Sequence, residues 1–290
     1  RIAVTSREGV VSRSRLRWNS DHIVALSPQR GLERFDPSGA SVSRVDGAEH
    51  TPLSRLSPEG RWAIVVRQGA LVAERVDDPA QRAQLAQQAP SWTDVPRFAV
   101  TDDGATFRWD GRALHIDGAA VPIAKRETRA ELALSRDGRL VALATSKEII
   151  VVDVAQRKER CRIAAPKRAI TQFAGDRWLV VTGADGLRWF DRETAALSHW
   201  HKRRFSTEVY SCASPDGALL ALIADRGVVE LVVRDDPSAS RSIIAAESVH
   251  SVAFSPDASQ LVVASSESVL RIFSVPAALA TRAPSRKRAR

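Results

Sequence analysis

The feature that most constrains this chain is a four-residue turn that returns along its whole length. Ser214-Pro215-Asp216-Gly217 recurs as Ser255-Pro256-Asp257-Ala258, Ser135-Arg136-Asp137-Gly138 and Ser57-Pro58-Glu59-Gly60. Thr101-Asp102-Asp103-Gly104 is a looser copy; Phe173-Ala174-Gly175-Asp176 and Trp18-Asn19-Ser20-Asp21 are looser still. Marked at the acidic residue, the units fall at 21, 59, 103, 137, 176, 216 and 257, in steps of 34 to 44 residues. Proline presets φ for a reversal, Asp bonds its own backbone, and Gly accepts the positive φ that a tight turn needs.

Each unit has the same grammar. An alternating stretch such as "VHSVAFS" precedes the turn, and a short apolar run follows it, as in "HIVALS", "RWAIVV", "LVALAT", "RWLVVT", "LLALIA" and "QLVVAS". Such runs suit strands covered on both faces. A third strand ends near an aspartate ("LERFD", "IIVVD", "LRWFD"), and a more polar fourth strand suits an edge facing water. One such sheet alone would leave two apolar faces wet. Seven packed face to face in a ring cover those faces and shorten the exposed edges. The expected fold is therefore all-β: a seven-bladed β-propeller of four-stranded antiparallel blades spanning residues 1–276.

The Ser-Pro-Asp-Gly turn, the apolar second strand and the Asp closing the third strand resemble the degenerate type of WD-repeat β-propeller. The Trp-Asp dipeptide of that family is replaced by Phe35-Asp36, Ile116-Asp117, Val152-Asp153 and Phe190-Asp191. The literal pair Trp109-Asp110 falls one strand early, and the family's Gly-His pair is missing. The resemblance implies closure of the ring by the chain start. The seventh unit runs out after "VLRIFSV", and the opening "RIAVTS" has no unit of its own, so residues 2–6 are expected to supply the missing outer strand.

Two segments stand outside the repeat. Asp78-Pro79 followed by "AQRAQLAQQA" predicts a short helical insertion over about 79–89, with an N-cap, a first-turn proline and a stop before Pro90. The tail 277–290 lacks apolar periodicity and is expected to be disordered.

Charge is informative once placed. The net is +9, but residues 1–17 carry +4 and residues 281–290 carry +5, so the body is balanced. A body-wide nucleic-acid face is not expected. No apolar run reaches the ~18 residues of a membrane span. Two cysteines, Cys161 and Cys212, exclude a disulfide scaffold and a multi-cysteine zinc site. They are expected in different layers of non-adjacent blades, as inert packing residues. The chain opens at Arg1 and has no methionine, which reads as a piece of a longer chain. Its arginine- and alanine-rich, lysine-poor composition suggests a bacterial source, and a cytoplasmic location is the leaning.

No phosphate loop, His-Glu-x-x-His, Gly-x-Ser-x-Gly or Cys-x-x-Cys occurs, so no catalytic residue, metal or cofactor is assigned. The chemically dense segment is His199-Trp200-His201-Lys202-Arg203-Arg204. Extended, it would put both histidines on one face for a metal, though no third ligand is identifiable and the cations oppose one. Its basic-aromatic mix could also grip phosphate or a base. The bland reading is a solvated loop between blades five and six with one buried Trp. Arg13, Arg15 and Arg17 alternate along a strand and would form a cationic face for an acidic partner at the blade-one surface, or simply pair with the neighbouring blade. The repeated turn aspartates are isolated from one another, so they are turn formers rather than calcium ligands.

The leading expectation is a non-catalytic protein-interaction module, a sensor or scaffold within a larger multidomain chain and monomeric as an isolated domain. One alternative is an enzyme with its site in the axial channel. That requires carboxylates or histidines converging on first-strand positions, which read as apolar or small apart from His250. The other alternative is binding of nucleic acid or an anionic surface through the basic ends, including 285–290.

Overall fold

Each of those apolar runs is the second strand of a four-stranded antiparallel sheet. The computed structural model describes residues 2–5, 15–27, 31–38, 40–45, 54–88, 90, 97–123, 130–205, 210–225, 227–244, 249–265 and 269–276. β1 (Ile2–Thr5) opens the chain. Blade one is β2 (Arg15–Trp18), β3 (Ile23–Ser27), β4 (Gly31–Phe35) and β5 (Ser41–Val45). Blade two is β6 (Arg55–Leu56), β7 (Trp62–Arg67), β8 (Ala70–Arg75) and β9 (Arg82–Ala86). Blade three is β10 (Arg97–Val100), β11 (Thr106–Trp109), β12 (Ala113–Ile116) and β13 (Ala119–Pro122). Blade four is β14 (Ala130–Leu134), β15 (Leu140–Thr145), β16 (Glu148–Asp153) and β17 (Lys158–Ala164). Blade five is β18 (Ile170–Ala174), β19 (Trp178–Gly183), β20 (Gly186–Asp191) and β21 (Leu197–Lys202). Blade six is β22 (Tyr210–Ala213), β23 (Leu219–Asp225), β24 (Val228–Val233) and β25 (Arg241–Ile244). Blade seven is β26 (Val249–Phe254), β27 (Gln260–Ser265) and β28 (Val269–Ser274), completed by β1.

The closure follows the expected route. β1 runs antiparallel to β28, with Ile2 opposite Ile272 and Val4 opposite Leu270. The first strand of every blade contacts that of the next, including β26 with β2, so seven sheets form one ring.

The turns are built by their own side chains. Ser214 Oγ donates to Asp216 Oδ1 at 2.5 Å and accepts from the Leu219 N–H at 2.9 Å. Ser135 with Asp137 and Ser255 with Asp257 repeat this at 2.7 and 2.6 Å. The fourth position is left-handed in each, with φ +67° at Gly138, +69° at Gly217 and +59° at Ala258.

The core is divided by seam rather than by sheet. Seven apolar clusters occupy the seven interfaces between blades. Leu16, Ile23 and Phe35 meet Ala253, Val262 and Ile272 across the blade seven–one seam. Second strands are buried on both faces, as β15 and β19 are at every residue, whereas the outer strands β5 and β9 are largely exposed.

The helix expected over 79–89 is corrected. Residues 82–86 form β9, the outer strand of blade two, paired with Ala83 opposite Ala73 and Arg82 opposite Glu74. Asp78 caps a turn instead: its carboxylate accepts from the Ala80 N–H at 3.3 Å, and the Gln81 N–H donates to its carbonyl at 3.0 Å. The free edge of β8 offers a full ladder of backbone bonds. That outweighs the weak helix preference of an Ala- and Gln-rich stretch with no apolar face to bury. The tail expected to be disordered, residues 277–290, lies outside the described residues.

Candidate interaction surfaces at the outer edge of blade five and at the axis

The segment expected as a solvated loop is the edge strand β21, and its two faces differ. His199 and His201 point toward blade six, where His201 Nε2 lies 2.8 Å from the Arg234 carbonyl oxygen and His199 Nε2 lies 3.2 Å from Asp235 Oδ1. His199 meets Trp178 edge-on with centroids 6.0 Å apart, and His201 lies 4.7 Å from Trp189. Arg234, held by Asp235 through two bonds of 2.8 Å, stacks over Trp178 at 4.8 Å. Burial pushes both imidazoles below their ordinary value, against the pull of the Arg234 carbonyl and Asp235. These histidines are therefore a tie between blades. Among the described residues, no group of three His, Cys, Asp or Glu is placed to hold a metal.

The opposite face carries Trp200, which is 42% exposed rather than buried. It pairs in register with Arg188. The Arg188 guanidinium lies 4.6 Å from the indole centroid, and Lys202 Nζ lies at 4.7 Å. Arg188 is itself oriented by Asp185, through bonds of 2.9 and 2.5 Å. Leu197, 49% exposed, extends the apolar surface along the same strand. Arg203 follows β21, pairs with Glu230 and stacks over Phe205 at 5.3 Å; Arg204 is exposed. A rigid, partly desolvated indole framed by two cations can accept a carboxylate-bearing, aromatic or extended peptide surface.

Arg13 lies outside the described residues, and Arg15 is placed only as the first residue of β2. Arg17 sits on the first strand of blade one, the one nearest the axis. Its Nη1 donates to the Leu16 carbonyl at 3.0 Å, and its charge acts on the Cys212 thiol of blade six. Arg55 repeats this geometry in blade two, donating to the Ser54 carbonyl at 2.9 Å. Its Nη2 stands 3.9 Å from Glu131 Oε2 of blade four. Burial lowers its pKa, Glu131 opposes the shift, and Arg97 and Tyr210 add their fields. Side chains from four blades thus share the axial space. The reading of first strands as apolar or small missed these arginines, and with them Glu131 of blade four and Tyr210 of blade six. The signal was present in "RLRW", "SRLS" and "RFAV", each immediately before a turn. Cys161 on β17 and Cys212 on β22 are free, and burial pushes both thiols up.

No protein-family model matches the chain, and no curated protein matches it. Solved structures do. A chain in the crystal structure of a mitotic checkpoint complex aligns with a TM-score of 0.65 at 14% identity, covering 94% of this chain and 90% of that one. A chain of Kuenenia stuttgartiensis hydrazine synthase aligns with a TM-score of 0.65 at 11% identity, covering 94% and 98%. At such identities the likeness is one of fold: this chain is a seven-bladed β-propeller.

Proposed function

We propose that this propeller is a non-catalytic protein-interaction module of the degenerate WD-repeat type, a scaffold or sensor within a larger chain. The outer edge of blade five is its contact surface. The observation that carries this reading is Trp200. A large indole on an edge strand stays 42% exposed while Arg188 and Lys202 flank it and the reverse face is tied down by His199 and His201. Tryptophan and arginine are the residue types that most often anchor interfaces. An edge strand also offers unpaired backbone groups for an added strand. A neighbour of the same fold occurs in a protein complex, the mitotic checkpoint complex. No helix among the described residues is long and apolar enough to cross a membrane.

The test is affinity capture with quantitative mass spectrometry on wild type, Trp200→Ala and Val42→Ala. Val42 is a control on the outer strand of blade one with 51% exposure. The reading expects a set of proteins that Trp200→Ala loses and Val42→Ala keeps. Identical capture by all three folded proteins overturns it.

A further inference from the structure

The seam between blades one and two is part apolar and part cationic. Val24, Leu26 and Leu32 pack against Ala63, Val65 and Val72. The same faces also carry guanidiniums. Arg34 is opposite Val24 in the β3–β4 ladder and so shares the face of Leu32. Arg67 alternates with Val65 on β7, and Arg82 is opposite Glu74 on β9. A groove of about 550 Å³ opens here, lined by these three arginines and Arg44, together with Ser43 and Asp77.

Arg67 is held from behind by a buried ion pair. Glu74 is wholly buried, and its carboxylate takes two bonds from Arg67, one from Nε and one from Nη2 at 2.9 Å. Arg75 holds Asp77, with bonds of 2.7 and 3.2 Å. Asp77, which lines the groove, and the buried Glu74 are thus each bonded by an arginine, and Asp77 also lies in the field of Arg34. Arg34 Nη2 lies 3.0 Å from His22 Nε2, a contact that brings no acid to it. Arg82 is exposed and has no ion-pair partner among the described residues. Arg34 of blade one and Arg82 of blade two thus line one groove, while Asp77 and Glu74 are bonded by Arg75 and Arg67.

We propose that this groove is a binding site for a phosphate-bearing small molecule, clamped between Arg34 of blade one and Arg82 of blade two. The guanidinium fork matches phosphoryl oxygens two at a time. The volume lies in the range of about 300–1,000 Å³ for small-molecule sites, which leaves room for more than one phosphoryl group. The site is separate from the blade-five edge and does not depend on the reading given to it.

Calorimetric titration with pyrophosphate tests the assignment, with inorganic phosphate and citrate as companions at constant ionic strength. Arg34→Ala and Arg82→Ala are compared with Arg112→Ala, an exposed arginine of blade three. Saturable pyrophosphate binding is expected in wild type and Arg112→Ala, weakened at least about tenfold in each groove variant, with citrate weaker. Arg82→Ala removes an exposed side chain, so it keeps the test open should Arg34→Ala fail to fold. No binding to wild type, equal binding to Arg82→Ala, or equal loss in Arg112→Ala overturns the site. Citrate binding as tightly as pyrophosphate overturns the phosphate assignment.

Discussion

Ser57 of blade two donates its hydroxyl to Asp102 of blade three, Oγ to Oδ1, at 2.5 Å. The same carboxylate accepts from the Glu59 N–H at 2.9 Å and the Arg61 N–H at 3.3 Å. In the turns of blades three, four, six and seven a local Asp does this work, but here the local residue is Glu59. Asp102 occupies the slot that proline holds in the fuller turns, which frees it to reach the turn of the blade before. Arg136, in the corresponding slot of blade four, bonds Glu59 at 2.7 Å. Departures from the repeat thus serve as links between blades.

Asp102→Ala leaves the Ser57 hydroxyl and two backbone N–H groups without their acceptor. It is expected to cost about 1–3 kcal/mol in urea unfolding. Burial raises the Asp102 pKa, against the bonds that favour its charge. Asp102→Asn keeps an acceptor and removes a partly desolvated charge, so it should cost less than Ala. Equal losses for Asn and Ala would refute the acceptor role.

Acid should weaken the blade five–six seam before it weakens the turns. Burial holds His199 and His201 below the ordinary value of 6.5, so the unfolded chain takes up protons before the native one does. Their contribution is complete above that value and falls as pH drops below it. The slope is at most about 1.4 kcal/mol per pH unit for each histidine, reduced by solvent around the half-exposed rings. Turn carboxylates act lower: bonds from the Ser255 hydroxyl and from Ser259 hold Asp257 at about 2, so its share is lost only as pH falls from 3.8 toward that value. Unfolding of wild type and His201→Gln at pH 7.5 and 5.5 checks the order. The variant should show the shallower loss, and parallel slopes would rule out the histidine tie.

Deleting residues 1–6 removes the partner of β28. Amide exchange across 249–275 should accelerate, most of all at 269–274, while blades three to five keep their protection. Unchanged protection across 249–275 would mean that β1 does not close the ring.

The parts of this fold that were legible in the chain are those that local chemistry determines. A Ser that bonds an Asp two residues on, as Ser214 does with Asp216, announces its turn wherever it stands. Twice-buried second strands such as β15 announce themselves as unbroken apolar runs. What long-range pairing decides was not legible. The stretch 82–86 has helix-favouring residues and becomes a strand because β8 has an open edge. His199 to Lys202 lacks an apolar face because β21 is itself an edge, so alternation had nothing to show. Arg17 read as part of a cationic surface because the chain alone does not show that its strand is the inner one of a ring. Asp102 looked like a poor copy of a turn proline until the neighbouring blade was placed beside it.

Gly186 is where the blade-five edge depends on a single missing side chain. It opens β20 opposite Lys202 with φ +140°. A Cβ there would stand 2.2 Å from the His201 carbonyl oxygen and 3.1 Å from the Arg203 nitrogen. Both are backbone atoms that cannot rotate aside, so alanine must push β21 off its partner at the pair beside Trp200. Gly69, with φ +79° and open space around it, carries the backbone penalty without the collision. Gly69→Ala should therefore cost about 1 kcal/mol and Gly186→Ala distinctly more, toward about 3 kcal/mol. Exchange should also quicken selectively over 197–202 in Gly186→Ala. Equal destabilisation by the two substitutions, with β21 amides unchanged, would show that the close approach of Gly186 to His201 does not hold the edge in place.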